Sequence, residues 1–577
     1  MSELTNLQQF NTAIERFLTK KQLEWMSTIP VPEIKGRKKA IVFISIGQLN
    51  QRAKVFRQSS NHSFQQAVQK VLEQVQKWVR KNQPNLSSIK IDFVHDIKQI
   101  SYKDLEKMIL QYKKNYFRYG ISFNEDFSLS FLEQEINGNA FIRESKQGKL
   151  AIDETNIRHY LKINRYKIFN FNLRLLSRRP FYLFNTYGFF FNMLEDRKWI
   201  ELYSGELTNG IRKIPNLKRE IERIIKKSTY YLKRQVQFSG KFNYGYFSAF
   251  AKNIGTYNIL RHASSLYSML EGYEVIKDKK ILDAASKSLK YLIDFSLIYK
   301  DRQTAYIVDQ ANDHEIKLGS NATAILAITK YTTVSNDDSY MVYAKHLANG
   351  ILSMKDPNDN HFYHVLKYPE FETKEKFRII YYEGEAIFAL LRLYQIDRDE
   401  KWLEAVKDYF EIFIAEDYWK YHDHWLSYAV NELTDHVPED KYFQFGLKNC
   451  SERLEFIYHR NTTFPTFLEL TMAAYKMVKK IKQMDKGYLL DGFNESFLNK
   501  TIDKRAEYQR VGFMYPELAM YFKVPELVLD GFFIRHHSFR VRIDDVEHNL
   551  SGYIQYLLYR IPDLDEQEQK IPYLLEV

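Results

Sequence analysis

Four groups of residues beyond position 250 combine types and spacings that could carry acid–base chemistry. The first is Glu383 and Glu385, within the sequence YYEGEA. Carboxyl groups donate and accept protons in glycoside hydrolysis and in proton abstraction, so both are candidate catalytic residues. Two residues apart at a helix start they point in different directions, so we expect one to face a cavity and one to be structural. The alternative for both is that they stabilise a helix N-terminus.

The second group is Asp544, Asp545 and His548. Asp545 and His548 are three residues apart and share one helix face, so they could form an acid–base pair or two ligands of a divalent ion. Asp544 is a second candidate catalytic carboxyl, although it could instead be a helix N-cap. Arg542 and His548 are candidates for substrate binding.

The third group contains Arg261 and His262, preceded by Tyr257 and Asn258. Tyr257 and Arg261 are four residues apart, as are Asn258 and His262, so one helical turn presents two polar rows. The guanidinium of Arg261 could bind a substrate carboxylate or phosphate. It could equally pair with a carboxylate of a neighbouring helix, such as Glu385 or Asp545. His262 is a candidate catalytic residue, and the other three are candidate binding residues.

The fourth group surrounds His424. His422 and His424 are two residues apart before a predicted helix, but no third metal ligand is evident beside them. We therefore predict no metal and interpret His424 as a proton carrier, because imidazole titrates near neutral pH. The predicted substrate-binding set is completed by Lys317, Asn321, Tyr382 and Trp425.

These groups belong to six clusters with a common position in the sequence. Each cluster lies directly before, or in the first turn of, a segment rich in small apolar residues, which is typical of a helix buried on all sides. If the six helices form one ring, the clusters meet at one end of it, and Arg261, Glu385, His424 and Asp545 share one cavity. The clusters are 256–264, 317–323, 381–386, 421–425, 460–469 and 542–548.

From residue 217 onward only helical periodicity is found. The predicted helices alternate between members that are apolar nearly all round and members with one polar face, which predicts an inner and an outer ring. The twelve predicted helices are 216–237, 257–275, 281–297, 321–331, 338–354, 383–395, 401–415, 424–433, 440–459, 466–482, 504–521 and 545–559.

The first 210 residues show a different pattern. A helix is predicted over 4–26, followed by a proline-containing linker, and then strands alternate with helices. We predict strands at 39–47, 89–95, 167–172 and 180–191, and helices at 63–81 and from 101. The predicted domains are therefore an N-terminal helix and linker at 1–35, an α+β domain at 36–210 and a helical domain at 211–577.

Composition excludes several classes of protein. The chain has 577 residues with 45% hydrophobic and 27% charged residues, as expected for a globular protein. Its one cysteine, Cys450, excludes an internal disulfide and a thiolate zinc cluster. The net charge of +12 is spread along the chain without a nucleic-acid-binding motif, so we expect no nucleic-acid partner. We find no signal sequence, no transmembrane run and no glycine-rich cofactor loop, and expect a cytoplasmic protein without a cofactor.

Twelve alternating helices with polar clusters at the start of the inner ones resemble the six-hairpin (α/α)6 toroid superfamily of carbohydrate-active proteins. The segment 381–406, YYEGEAIFALLRLYQIDRDEKWLEAV, is similar to a hairpin that recurs there, in N-acylglucosamine 2-epimerases and in the C-terminal domain of glucuronyl C5-epimerases among others. The resemblance implies a mainly α fold, with a C-terminal (α/α)6 toroid of twelve alternating helices preceded by an N-terminal α+β domain.

The predicted function is acid–base chemistry on a saccharide bound in the toroid cavity, and an acidic saccharide or polymer is the expected partner. Aromatic residues make up 15% of the chain and could stack on sugar rings. The reaction could be glycoside hydrolysis, epimerisation or elimination, which the sequence does not distinguish. The alternative is a non-catalytic scaffold or assembly factor for polysaccharide or surface-polymer biosynthesis or export. The N-terminal α+β domain would then dock a protein partner.

Overall fold

The computed structural model describes residues 5–164 and 171–566. The chain divides into two compact units, neither of which is one continuous segment. The first is drawn from Met1–Pro215, Tyr246–Asn253 and Val511–Val541, and the second from Asn216–Gly245, Ile254–Arg510 and Arg542–Val577. Residues 246–253 and 511–541 were expected in the helical domain, whereas here they fold with the first unit.

The first unit is built on a mixed-length antiparallel sheet whose strand order is β4-β3-β5-β10-β6-β7, with β11 paired to β10. Every residue of the interior strand β3 is buried, which explains why its sequence AIVFISIG is apolar except for Ser45. In chain order the elements are α1 (Asn6–Phe17), α2 (Lys20–Thr28), β1 (Glu33–Ile34), β2 (Arg37–Lys38), β3 (Ala40–Gly47), β4 (Lys54–Ser60), α3 (Phe64–Asn82), β5 (Ser88–Ile100), α4 (Tyr102–Gln111), β6 (Gly120–Ser122), β7 (Ser130–Phe131), α5 (Glu133–Gly138), β8 (Ile142–Glu144), β9 (Leu150–Ile152), α6 (Glu154–Ile163), α7 (Leu173–Leu176), β10 (Phe181–Asn192) and β11 (Trp199–Glu201).

The predicted strands at 39–47, 89–95 and 180–191 are confirmed as β3, β5 and β10. The prediction of one continuous helix at 4–26 was wrong, because two helices, α1 and α2, cover this segment. It breaks between α1 and α2 because Thr19 accepts a hydrogen bond from the backbone N–H of Gln22 and begins a new helix. The predicted strand at 167–172 falls largely outside the described residues.

The second unit contains a closed ring of six inner helices. Each inner helix contacts the next one along the chain, and the last contacts the first. This is the (α/α)6 toroid that the sequence predicted. The inner helices are α9 (Ile259–Ile276), α11 (Leu318–Ser335), α13 (Tyr381–Asp397), α15 (His424–His436), α18 (Thr466–Gln483) and α21 (Ile543–Gln555).

Outer helices pack between the inner ones. They are α8 (Leu217–Gln235), α10 (Lys279–Ser296), α12 (Met341–Leu352), α14 (Glu400–Ala415), α16 (Asp440–Ser451) with α17 (Leu454–His459), and α19 (Glu495–Tyr508). A π-helical turn, Tyr556–Arg560, joins α21 to α22 (Ile561–Glu566). The predicted helix at 504–521 was wrong, because α19 follows the N-cap Asn494, whose side chain accepts from the N–H of Phe497, and ends at Tyr508.

Strands in the second unit lie in the loops before the inner helices. They form one antiparallel sheet in chain order, β14 (Leu297–Tyr299), β15 (Ala305–Asp309), β16 (Glu315–Lys317), β17 (Val365–Lys367) and β18 (Thr373–Glu375). The later segments of the first unit contribute β12 (Gly245–Phe247), β13 (Lys252–Asn253), α20 (Pro516–Ala519) and β19 (Arg540–Arg542). Among the described residues, no helix combines the length and apolar character that crossing a bilayer requires.

A buried ion pair connects the two distant segments of the first unit. Arg212 Nε and Nη2 donate to the two carboxylate oxygens of Glu517 at 2.8 and 2.7 Å, and Glu517 is fully buried. We expect Glu517→Gln to lower the free energy of unfolding by about 3–5 kcal/mol, because it leaves a buried guanidinium without its counter-charge. Urea denaturation measures this. Glu201→Gln removes an exposed carboxylate that pairs with Lys213 at 2.6 Å, and should cost less than about 1 kcal/mol. Equal effects of the two variants would contradict the prediction.

Candidate active site at the ring centre of the second unit

The arginine of the first inner helix is surrounded by carboxyl groups of other inner helices. Arg261 Nε lies 3.5 Å from Asp544 Oδ2, and 28% of the Arg261 side chain is exposed. Burial lowers the pKa of Arg261, but Asp544, Glu547 and Glu385 outweigh it and raise the pKa above its usual value. The partner is therefore Asp544 rather than Asp545. Asp545 accepts a hydrogen bond from the backbone N–H of Arg542 at 3.2 Å, which caps its own helix.

Glu385, the fifth residue of α13, points into this group. It is 2% exposed, and its Oε2 has no hydrogen-bond partner among the described residues. Burial and the nearby carboxyl of Asp423 raise the pKa of Glu385 to about 8, while Arg261 opposes the shift. Glu385 is therefore protonated at neutral pH and could act as a proton donor.

Asp423 positions the neighbouring histidine. As the N-cap of α15, it accepts hydrogen bonds from the backbone N–H groups of Trp425 and Leu426 at 3.0 and 3.2 Å. Its Oδ1 also lies 3.4 Å from His424 Nδ1. His424 Nε2 is buried without a hydrogen-bond partner among the described residues. Burial, helped by His548 and Arg261, lowers the pKa of His424 well below its usual value, so the imidazole is neutral.

A second histidine stands next to His424. The ring centroids of His424 and His548 are 5.2 Å apart at an interplanar angle of 80°. Glu469 of α18 lies between them, with Oε2 at 3.1 Å from His548 Nδ1 and 3.9 Å from His424 Nε2. Glu469 Oε1 accepts a hydrogen bond from Tyr428 at 3.2 Å. Burial raises the pKa of Glu469 well above its usual range, and Glu271 raises it further.

His424, Glu469 and His548 also have the composition of a divalent-metal site. One ligand atom from each lies within 4.8 Å of the other two, and two histidines with one carboxylate suit several transition metals. Glu469 is the potential third ligand that the sequence did not reveal. It lies in the cluster 460–469, but the sequence could not show which residue of that cluster faces His424.

His262 does not face the ring centre, contrary to its predicted catalytic role. Its Nδ1 is 2.7 Å from the hydroxyl of Tyr257, and its Nε2 is 3.0 Å from the backbone oxygen of Ser288 on the outer helix α10. Asn258 accepts from the N–H of Leu260 as the N-cap of α9. Tyr257, Asn258 and His262 therefore stabilise the start of α9 and its contact with α10. We exclude these three residues from the proposed site.

Lys317 and Asn321 are also structural. Lys317 Nζ forms a buried ion pair with Asp309 at 2.6 Å. Asn321 Oδ1 accepts from the N–H of Ile307 at 2.7 Å, and its Nδ2 donates to the carbonyl of Lys317 at 2.9 Å. These contacts join α11 to β15 and leave neither side chain available to a substrate.

The remaining predicted residues fall in two places. Trp425 lines the ring centre, with its ring centroid 6.2 Å from that of His548. Arg542 Nη2 donates to Asp544 at 2.6 Å, beside Arg261. Tyr382 is buried next to Glu385, which together with burial raises the pKa of Tyr382 to about 12. Glu383 points away from the ring centre into a separate pocket, so the two carboxyls of YYEGEA diverge as predicted.

The fit of Glu385 depends on the absence of a side chain at residue 319. A Cβ at Gly319 would lie 2.1 Å from Glu385 Oε2 and 2.7 Å from Tyr382 Cδ1. We expect Gly319→Ala to fold but to lose about a hundredfold in any turnover that uses Glu385 as the proton donor, because displacing a reacting group by about 1 Å has that effect. Gly255→Ala is the matched control, since a Cβ there meets nothing within 4 Å. Wild-type turnover of Gly319→Ala would show that Glu385 is not part of the reacting site.

Comparisons with known proteins find similarity in structure only. No protein-family model and no curated protein matches the chain. Among solved structures, a D-mannose isomerase matches at 11% identity and a TM-score of 0.47, covering 60% of this chain and 99% of its own. A sugar epimerase from a ruminal bacterium matches at 13% identity and a TM-score of 0.46, covering 59% of this chain and 98% of its own.

A glycoside hydrolase family 76 mannosidase from Bacteroides thetaiotaomicron matches more loosely. It has 14% identity and a TM-score of 0.33, and the match covers 45% of this chain and 88% of the mannosidase. Carbohydrate-active proteins, epimerases among them, are the group that the sequence resembled. The assignment of the fold rests on the closed ring of helices described above.

Proposed function

We propose that the ring centre of the second unit is the active site of a sugar epimerase or isomerase, which moves a proton at a carbon beside a carbonyl group. The observation that carries this proposal is the pair of adjacent imidazoles, His424 and His548, held over one buried carboxyl, Glu469. A neutral imidazole with an unshared nitrogen lone pair can act as the base in such a reaction.

The chain's own residues supply each part of the reaction. His424 Nε2 takes the proton from the substrate carbon as the C–H bond breaks. The C–H electron pair forms a C=C bond and the carbonyl π pair moves to the oxygen, which gives an enediolate. Arg261 stabilises the negative charge that develops on this oxygen. In isomerisation, His424 returns the proton to the former carbonyl carbon, and His548 moves a proton between the two substrate oxygens. In epimerisation, His548 delivers a proton to the original carbon from the opposite face, and His424 keeps the proton that it removed. Asp423 orients His424, and Glu469 orients His548.

The charges around Arg261 bear on the substrate. Asp544 Oδ2 already lies 3.5 Å from Arg261 Nε and pairs with it. A substrate carboxylate would have to displace Asp544, whereas a hydroxyl or carbonyl oxygen would not. The ring centre therefore favours a neutral sugar over the acidic saccharide expected from the sequence.

Deuterium exchange tests the proposal even when the product is unidentified. A panel of aldoses, ketoses, N-acetyl sugars and uronic acids is incubated with the protein in D2O, and proton NMR follows loss of the signal at the carbon beside the carbonyl. We expect exchange into at least one member of the panel. His436→Gln, at the opposite end of α15, should retain it and His424→Gln should not. Absence of exchange with every sugar of the panel would contradict the proposal. It would favour the alternative that the protein is a non-catalytic scaffold or assembly factor.

One observation favours glycoside hydrolysis as a second candidate function. Glu385 and Asp423 are both buried carboxyls whose pKa is raised to about 8, chiefly by burial. A protonated carboxyl is the general acid of glycoside hydrolysis. Release of new reducing ends from oligosaccharides, lost in Glu385→Gln but retained in His548→Gln, would favour this reaction over proton transfer at carbon.

A further inference from the structure

A separate pocket lies where Glu383 points, away from the ring centre. It has a volume of about 230 Å³ and belongs wholly to the second unit. The loop between α12 and α13 and the C-terminal end of α14 form its walls. Its lining residues are Asp356, Asp359, His361, Phe362, Tyr363, Lys376, Phe377, Glu383, Glu416 and Tyr418.

The base of this pocket holds a carboxylate with an unused oxygen. Glu383 is 1% exposed, and its Oε1 lies 3.6 Å from His364 Nε2 and 3.7 Å from His361 Nδ1. Burial raises the pKa of Glu383, but the two histidines outweigh it and keep the pKa below its usual value. Oε2 has no hydrogen-bond partner among the described residues. A buried carboxylate oxygen without a donor costs free energy, which a ligand hydroxyl or amine would offset.

His361 stands beside this carboxylate as a cation. Its Nε2 lies 3.1 Å from Glu416 Oε1. Glu383 raises the pKa of His361 to about 9, with burial opposing and Glu416 assisting, so the imidazolium persists at neutral pH. The ring of His361 is nearly parallel to that of Tyr418, with 6.2 Å between centroids. His361 is therefore fixed by its neighbours and adds a positive charge to the wall.

The other walls of the pocket are aromatic. Phe362, Tyr363, Phe377 and Tyr418 line it, and Phe377 is 57% exposed. An aromatic face exposed to solvent beside hydrogen-bond acceptors is an arrangement that binds sugar rings, whose axial C–H groups stack on the ring while hydroxyls bond the acceptors.

The charge of the pocket restricts the ligand further. Lys376 neutralises Asp356 at 2.5 Å. The carboxylates of Asp359, Glu383 and Glu416 then face the single charge of His361. An excess of negative charge repels uronic acids and phosphorylated sugars and admits neutral or amino sugars.

We propose that this pocket is a second saccharide-binding site, which takes one ring of a neutral or amino sugar. The ring stacks on Phe377, and a hydroxyl or amine donates to Glu383 Oε2. The site does not depend on the chemistry proposed for the ring centre, since it shares no lining residue with it.

Binding is tested in the His548→Gln variant, which is impaired in the proton transfer proposed for the ring centre and leaves the pocket intact. The comparison with Phe377→Ala then assigns the binding to the pocket. Ligand-observed NMR with methyl mannoside, methyl glucoside, glucosamine and glucuronate gives the affinities. We expect a neutral or amino sugar to bind and glucuronate to bind at least tenfold more weakly. Phe377→Ala in the same background should weaken binding by about two- to tenfold, the loss of one stacked contact.

Phe238→Ala is the matched control, because Phe238 is 99% exposed and lies outside the pocket. It should leave the affinities unchanged, and thermal melting of all variants should confirm that they fold. The proposal is overturned if no neutral or amino sugar binds to His548→Gln, if glucuronate binds as tightly, or if Phe377→Ala and Phe238→Ala have equal effects. Failure of deuterium exchange with sugar binding retained would overturn the proposed reaction but not this site.

Discussion

Replacing either ring-centre histidine by glutamine is expected to reduce turnover by about a hundredfold to ten-thousandfold, the contribution typical of a positioned acid or base. Glutamine can hydrogen-bond but cannot carry a proton between substrate atoms. The rate to measure is deuterium incorporation into whichever sugar of the panel exchanges. His424→Gln should lose exchange at carbon itself, because Nε2 of His424 is the nitrogen that has no hydrogen-bond partner among the described residues.

The control for this experiment is His436→Gln. His436 ends the same helix as His424 and stacks edge-on against Tyr394, with 5.0 Å between ring centroids. It is far from the reacting groups, so turnover should stay at the wild-type level. If all three variants lost activity together, the effect would be on the stability of α15 and the assignment of His424 as the base would fail.

Arg261→Met is expected to have the second largest effect, a loss of about a hundredfold to a thousandfold in kcat, as for removal of one oxyanion-stabilising group. The physical reason is that the developing negative charge would then meet the carboxylate of Asp544 without the guanidinium that pairs with it. Arg261→Lys should recover part of the loss, because it restores the charge but not the planar fork.

Stability separates this role of Arg261 from a purely structural one. Arg261→Met should also destabilise the protein, because Asp544 and Glu547 lose a counter-charge. The double variant Arg261→Met with Asp544→Asn should regain melting temperature without regaining turnover. Recovery of both together would mean that Arg261 acts only by neutralising Asp544.

The closed ring and most of its helices could be predicted because inner helices have a distinctive composition. A helix such as α11, with its continuous run of buried residues, can only be surrounded by other elements. Because the polar residues lie at the starts of these helices, the sequence also predicted that Arg261, Glu385 and His424 lie near one another. That placement does not depend on the direction in which each side chain points.

The predicted roles that were wrong are those that depend on the direction in which a side chain points. His262 is adjacent to Arg261 in sequence, and one step along a helix turns it by about 100°, so that it bonds Ser288 of α10 instead. Asp544 and Asp545 exchanged their expected roles for the same reason. Glu469 was not singled out because its importance depends on His424 and His548, which are brought to it only by the ring. Segments 246–253 and 511–541 belong to the first unit although helical-unit sequence flanks them, and nothing in their own sequences indicates this.

Closure of the ring has a consequence during synthesis. Ser264 on the first inner helix donates to Glu547 on the last, 283 positions later in the chain. At roughly 5 to 20 residues per second, a ribosome needs about 15 to 60 s to make that interval. Throughout it the apolar flank of α9 that α21 will cover remains open, and the carboxyls around Arg261 are incomplete. The nascent chain therefore exposes apolar surface during this interval, and the proposed site is complete only once α21 has been made.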